Sequence, residues 1–477
     1  MRPRLAFLLL PAVVAGCTLA PRYERPAAPA AADWVNQPLA GPTAADLGWR
    51  EFFGDPRLQR LVELALANNR DLRIALLKVD QTRAQYRIER AALLPGIDAT
   101  GSGSRQRTPA DLLGTGQATV SSQYGVSVGV TSYELDLFGR VRSLKARALE
   151  TYLATAEARR SVHLSLVAEV ATQYLIERDQ AELLDVARRT LAAVQANYEL
   201  LRRRHEVGSA SEIDLRSAEA QVQTARANVA LFERQRAQAE NALALLLGQP
   251  LPADLPPALP LNAPGLLADI PPGLSADLLL RRPDLLQAEH ELKAASANIG
   301  AARAAFFPKI TLTGSAGTAS PELSGLFTAG SDAWSFVPQV TLPIFAGGRN
   351  LANLQVAQLS RRIEIAQYEK AVQTAFREVA DALVARGTYE EQLAAHEALV
   401  QAQQRRFQLA DARYRQGVDS YLAVLTAQED LYDAQQNAVQ SRFARWANRI
   451  TLYKALGGGW NEHTIPTTTA LSSASVR

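Results

Sequence analysis

Cys17 and five histidines are the side chains of this 477-residue chain with the most obvious chemistry, a nucleophilic thiol and imidazoles that could bind metal or move protons. His163, His205, His290, His396 and His463 are scattered without metal-ligand spacing, and a single cysteine allows no disulfide within the chain. Nor is there a phosphate-binding glycine loop: Gly347-Gly348-Arg349 stands where an alternating segment gives way to a helical one, and a turn explains it. The residues imply no enzyme, no cofactor and no metal. What remains is acylation of Cys17.

The segment before that cysteine fits such a fate. Arg2 and Arg4 are followed by the apolar run Leu5 to Leu10, continuing to Val14, which together read as an export signal over residues 1–16. It ends in Val14-Ala15-Gly16-Cys17, similar to a bacterial lipobox, which makes Cys17 the acylated first residue of the mature chain; a plain signal peptide with an incidental cysteine is the alternative. Resemblance to bacterial lipoproteins, with Thr18 rather than Asp next, implies sorting to the outer membrane. Acyl chains anchor a protein to one leaflet without spanning it. No later stretch has the 18 or so consecutive apolar residues of a transmembrane helix, so any crossing must use strands. The net charge of +3, part of it in the signal, gives no electrostatic case for nucleic acid.

Long amphipathic helices and short alternating segments dominate the rest. From Leu215, the positions Ala218, Val222, Ala225, Val229 and Phe232, then Ala239, Leu243 and Leu246, alternate threes and fours, a seam of about 3.5 residues that packs one helix along another. Leu183, Ala187, Leu191, Val194, Tyr198 and Leu201 supply a facing seam. The two helices meet at Val207-Gly208-Ser209, where Gly208 ends one and Ser209 with Glu212 has capping-box spacing for the next. This hairpin recurs. Gly208 maps onto Gly417, Leu215 onto Val424 and Leu247-Gly248 onto Leu456-Gly457, with Asp419 or Ser420 as the cap at the second tip. Asp71-Leu72 likewise matches Asp284-Leu285, and 91–97 matches 304–310, so the chain is a tandem duplication of about 210 residues per copy, too long for a short solenoid repeat.

After Pro95 and Pro308 the apolar period falls to two. Ile97 to about Arg107, Gln123 to Thr131, Ile310 to Ala316 and Trp334 to Leu342 read as two hairpins of roughly ten-residue strands, the length and dyad pattern of membrane barrel staves, although a soluble sandwich would alternate too. Four strands enclose no usable lumen and open edges are not tolerated in lipid, so a barrel requires several chains. From about Arg140 to Val207 there is neither proline nor glycine, enough for about 100 Å of helix at ~1.5 Å per residue. The resulting organisation is an extended lipidated segment at 17–55, helices at 56–95, hairpin strands at 96–134, a helical hairpin at 139–248, and a Pro-rich linker at 249–280. The second copy follows with a helix at 281–307, strands at 308–344 and a helical hairpin at 348–457, then a polar tail at 458–477. A helix capped by Asp55 with Pro56 in its first turn is expected to run to about Asn68.

The lipobox, the duplicated strands and helices, Glu134-Leu135-Asp136-Leu137-Phe138-Gly139-Arg140, Arg281-Arg282-Pro283-Asp284-Leu285, and Leu342-Pro343-Ile344-Phe345 with Gly347-Gly348-Arg349 together resemble the TolC/OprM family of outer-membrane efflux channels, in its lipoprotein (OprM/NodT-like) branch. The resemblance covers essentially the whole mature chain. It implies a mainly helical homotrimer in which twelve strands form one outer-membrane β-barrel, continuous with a twelve-helix periplasmic α-barrel and ringed by an equatorial collar of the 17–55, linker and tail segments. It also implies a passive exit duct of a tripartite pump for drugs, toxic compounds or metal ions, with a periplasmic adaptor and an inner-membrane transporter of the RND type as partners. By resemblance the adaptor contacts are Val207, Gly208, Ser209, Gln416, Gly417 and Val418 at the tips. The periplasmic gate is Leu422 and Thr426, four apart on one helical face, with a latch from Asp214 to Tyr414. The family often has an acidic residue where Thr426 stands, so cation attraction at the gate is expected to weaken unless Asp419, Glu429 or Asp430 supplies charge. Two rivals stay open: an exit duct for type I protein secretion, and a lipid-anchored periplasmic coiled-coil adaptor. The adaptor would carry one helical hairpin where this chain has two.

Overall fold

The computed structural model describes residues 18–27, 46–113, 117–270 and 282–464; Cys17, the export signal, Arg281 and most of the tail lie outside them. Besides a four-residue helical turn at Trp49–Phe52, the described residues form seven longer α-helices and four strands, in order: α1 (Pro56–Asn68), α2 (Arg70–Ala91), β1 (Ile97–Thr108), β2 (Thr119–Leu135), α3 (Arg140–Glu206), α4 (Glu212–Leu247), α5 (Pro283–Ala304), β3 (Lys309–Ser320), β4 (Asp332–Thr341), α6 (Arg349–Arg415) and α7 (Tyr421–Ala455). Both α3 and α6 are 67 residues long, as the matching halves of a duplication should be. No helix is long and apolar enough to cross a membrane among the described residues.

The chain divides into two compact units, and each repeat contributes to both. In the first unit, all four strands form one antiparallel sheet in the order β1-β2-β3-β4, so the two hairpins join through β2 and β3. Register sorts the side chains. Ile97, Ala99, Gly101 and Gly103 of β1 pair with Val130, Val128, Val126 and Tyr124 of β2. Those β2 residues meet Gly314, Ala316, Thr318 and Ser320, while Gly314 and Ala316 meet Phe336 and Trp334 of β4. Since alternate residues share a face, these form one continuous apolar surface. The other face carries Thr100, Ser127, Ser315 and Ser335, with hydroxyl pairs at 3.0 Å (Thr100–Ser127) and 2.9 Å (Ser315–Ser335). The apolar side is exposed: Trp334 is 80% and Val340 64% accessible.

β2 is longer than its alternation shows. The register slips between Val130 and Tyr133, where Ser132 takes a φ of 55°, and this bulge carries the strand on to Leu135. Beyond it, Asp136 accepts from the N–H groups of Val141 (3.1 Å) and Arg142 (2.8 Å), which caps α3, while Glu134 accepts from Nε and Nη2 of Arg140 (2.7 and 2.6 Å). Phe138 stacks on Phe307 with ring centroids 4.8 Å apart. Gly139, at a φ of 74°, permits the sharp entry into the helix.

The second unit has most of the buried core. Asp55 is fully buried and caps α1 through the N–H of Arg57 (2.8 Å), as its position before Pro56 predicts, and its other oxygen accepts from the Tyr174 hydroxyl (2.6 Å). Phe52 stacks on Tyr453 at 3.9 Å. The linker packs here too: Trp446 donates to the Leu261 carbonyl (2.7 Å) and Arg57 to that of Pro256 (3.0 Å). Arg282 donates to Asp284, to Glu378 and to the carbonyl of Ala455.

One carboxyl in this core is out of balance. Asp179 is 6% exposed with one oxygen lacking a hydrogen-bond partner, and burial, joined by the charge of Glu182, raises its pKa to about 7. Its folded pKa thus lies above the unfolded value, so its contribution to stability is fully present below about pH 4 and is lost as pH rises to about 7. Asp179→Asn is expected to raise stability at pH 7.5 by an amount on the order of 2–4 kcal/mol, seen as a higher unfolding midpoint, and to lose that advantage at pH 4. Equal midpoints for variant and wild type at pH 7.5 would refute this.

Candidate functional site

The seams read from the sequence meet in the second unit. Ala218, Val222, Ala225, Phe232, Ala239 and Leu243 of α4 are buried, after which Leu247 rather than Leu246 turns inward. Opposite them Leu183, Ala187, Val194 and Leu201 of α3 are buried. Toward the tips both hairpins share one cluster: Leu201 and Ala218 from the first pack with Tyr421, Val424 and Leu425 of the second, flanked by Tyr198, Phe407 and Tyr414.

Both tips close in the same way. Gly208 and Gly417 each take a φ of 74°, and the next N–H reaches back to the helix: Ser209 to the carbonyl of Arg204 (2.7 Å), Val418 to that of Arg413 (3.0 Å). This corrects the expected capping box. Ser209 is used to finish α3, its hydroxyl also donating to the Arg204 carbonyl (3.0 Å), and Ser211 caps α4 by accepting from the Asp214 N–H (3.1 Å). At the second tip Ser420 is the cap residue by position but makes no side-chain cap bond, and Asp419 turns to Arg413 instead (3.1 Å). Val207 and Val418, 78% and 59% exposed, are left as apolar points on either tip.

Leu422 and Thr426 lie on one exposed face of α7, and the Thr426 hydroxyl donates to the Leu422 carbonyl (3.1 Å). The expected bond between Asp214 and Tyr414 is not formed. Tyr414 packs against Tyr421 (ring centroids 5.4 Å apart) with the Arg204 guanidinium over its ring at 5.7 Å. Other groups join the hairpins: Asn197 donates to the Tyr421 hydroxyl (2.9 Å) and Gln221 to the Glu429 carboxylate. Burial, with the nearby Tyr414 and Asp214, pushes the Tyr421 pKa far up, so its hydroxyl stays neutral. Of the three acids near Thr426, Asp419 is paired with Arg413, which holds its pKa below the usual carboxylate range, and Asp430 with Arg406. Glu429 alone meets a neutral partner. Asn197, Gln221 and Arg413 escape sequence reasoning because polar residues beside a seam have no periodic signature.

No group of histidines, cysteines and acids able to hold a metal occurs among the described residues. Residues 61–249 and 274–458 match the family model described as "Outer membrane efflux protein". The chain is 50% identical over 458 residues to the probable efflux pump outer membrane protein TtgC of Pseudomonas putida, covering 95% of this chain and 94% of that one. It is also 50% identical over 467 residues to the solvent efflux pump outer membrane protein SrpC of the same species, covering 96% and 98%. Among solved structures, the open state of the MtrE outer membrane channel of Neisseria gonorrhoeae superposes with a TM-score of 0.86 at 44% identity, covering 94% of this chain and all of that one. The chain therefore belongs to the outer membrane efflux protein family: it is the outer-membrane exit duct of an efflux pump, not an enzyme.

Proposed function

We propose that three copies pool their sheets into one twelve-stranded barrel, with the long helices continuing it as a periplasmic tube that receives cargo through an adaptor from an inner-membrane transporter of the RND type. The observation that carries this is the two-faced sheet with unpaired outer edges at β1 and β4. Ten steps along β3, Ile310 to Ser320, rise about 34 Å, or about 26 Å of membrane at a tilt of ~40°, close to the ~25 Å apolar band of such barrels. The helices also lack partners. α2 has no buried residue, and its Leu77 and Ile88 are 57% and 70% exposed, which a neighbouring copy would cover. Acylated Cys17 would add a lipid anchor.

The cargo that best fits the relatives' names is apolar toxicants, since SrpC is named for solvent efflux. Val207, Gly208 and Ser209 with Gln416, Gly417 and Val418 are the adaptor contacts, and Leu422 and Thr426 line the narrowest ring. In place of the Asp214–Tyr414 latch, the Asn197–Tyr421 and Gln221–Glu429 bonds restrain the hairpins. Deleting the gene and screening organic solvents, antibiotics and metal salts tests the efflux reading; unaltered tolerance to all three classes in a strain with no second exit duct would refute it. In planar bilayers, Asn197→Ala with Gln221→Ala is expected to raise single-channel conductance severalfold, because opening the tube requires these hairpins to part. Unchanged conductance rules out the restraint.

A further inference from the structure

Two arginines stand where the apolar face of the sheet ends. Along β1 that face runs Ile97, Ala99, Gly101, Gly103, then Arg105 and Arg107, whose partners on β2 are Ser122 and Val120. Both arginines are exposed, and neither has an ion-pair or hydrogen-bond partner among the described residues. Their Cα atoms are about 6.8 Å apart on one face, two residues at ~3.4 Å each. Just before them the ring of Tyr124 lies over Gly103: a Cβ built on that glycine would be 3.3 Å from Tyr124 Cδ1. An aromatic ring at the edge of an apolar band marks the depth of the lipid headgroups. The loop joining β1 to β2 lies at the end of the sheet opposite α3, so with α3 in the periplasm this end faces the outer leaflet.

We propose that Arg105 and Arg107 form a binding site for the phosphates of the phosphorylated glycolipid that makes up the outer leaflet, with Tyr124 packing beside its acyl chains. A guanidinium fork matches phosphate oxygens two at a time, and two forks at this spacing suit a headgroup with more than one phosphate. An unpaired charge on an otherwise apolar face is costly in hydrocarbon and favourable only beside an opposite charge or water, which is why the arginines fall at the rim and nowhere lower on β1. Asp332 opens β4 on the same face of the opposite edge. Pairing with Asp332 of a neighbouring copy is the competing use for these arginines.

The inference rests on the barrel reading, so its test is confined to protein that migrates as a heat-sensitive trimer; wild type that never forms that band refutes the barrel, not the site. Trimers extracted from outer membranes in mild detergent are assayed for co-purifying diphosphorylated glycolipid by mass spectrometry. Arg105→Gln/Arg107→Gln is expected to retain about tenfold less than wild type, while Arg83→Gln/Arg87→Gln on α2 retains the wild-type amount. Glycolipid added to delipidated wild type should raise its dissociation temperature, and inorganic phosphate should not. Equal retention by the β1 variant, or equal stabilisation by inorganic phosphate, overturns the proposal. So does a β1 variant whose trimer dissociates more readily with its glycolipid intact, an outcome that assigns the arginines to the seam with Asp332. If the double variant does not assemble, Arg107→Gln alone is measured by the same criteria.

Discussion

Gly317→Val is expected to abolish the heat-resistant trimer on gels, while Gly101→Ala leaves it intact. The two glycines sit on opposite faces of the same sheet. Gly101 lies on the apolar face, where an added Cβ would meet nothing within 4 Å. Gly317 lies on the polar face opposite Ser127, and a Cβ there would be 2.0 Å from the Val126 carbonyl oxygen and 2.5 Å from Ser127 Cα. Gly129 on the same face is crowded in the same way, 2.3 Å from the Gly314 oxygen. Backbone approaching backbone on one face only means that the sheet curls toward that face, as a stave whose polar side lines a lumen must. Neither obstacle is a flexible side-chain end, so a new Cβ can be accommodated only by moving β2 away from β3. Each ladder bond lost in lipid leaves polar groups unsatisfied at a cost of several kcal/mol, and such a barrel does not close. A full yield of Gly317→Val trimer would show that the sheet is flatter, or these strands more loosely paired, than the structure has them.

Such crowding is invisible in the sequence, where Gly101, Gly129 and Gly317 are all alternating glycines. What the sequence does reveal is whatever repeats. The period of two located all four strands, and the threes and fours from Leu183 and Leu215 located the buried faces of α3 and α4. The Asp55-Pro56 start was legible because capping is local chemistry. Local chemistry misleads at Ser209, since a serine after a helix-ending glycine can equally finish the preceding helix, and the true cap lies two residues further on, at Ser211. The β2 bulge has no such signal, because one inserted residue shifts the alternation by one and mimics the end of the strand. Beyond that, Asn197 with Tyr421, Gln221 with Glu429 and Trp446 with the Leu261 carbonyl join positions distant in the chain, and no local pattern records them.

Arg282 is such a long-range group, and Arg282→Ala should be strongly destabilising to the second unit, costing about 3 kcal/mol of stability. Its side chain is 9% exposed. Nε and Nη2 hold both oxygens of Asp284 (3.0 and 2.7 Å) in the first turn of α5, Nη2 reaches Glu378 in α6 (2.8 Å), and Nη1 donates to the carbonyl of Ala455 at the end of α7 (2.8 Å). Burial alone would lower its pKa, but hydrogen bonds and charge from Asp284 and Glu378 outweigh burial and raise it, so the guanidinium is charged at every pH at which the protein folds. Removing it leaves the last carbonyl of a helix without its donor and two carboxylates without their counter-charge. Because Asp284 and Glu378 are 39% and 40% exposed, water can hydrate them in part, which places the loss near the lower end of the ~3–5 kcal/mol typical of a broken buried pair. Lysine would keep the charge but cannot serve three acceptors from one planar fork, so Arg282→Lys should fall between wild type and Ala. Denaturant midpoints of the detergent-solubilised protein at pH 7.5 order the three. A midpoint for Arg282→Ala within error of wild type would mean that the three helices are held by their apolar contacts, and that this buried fork is incidental to their packing.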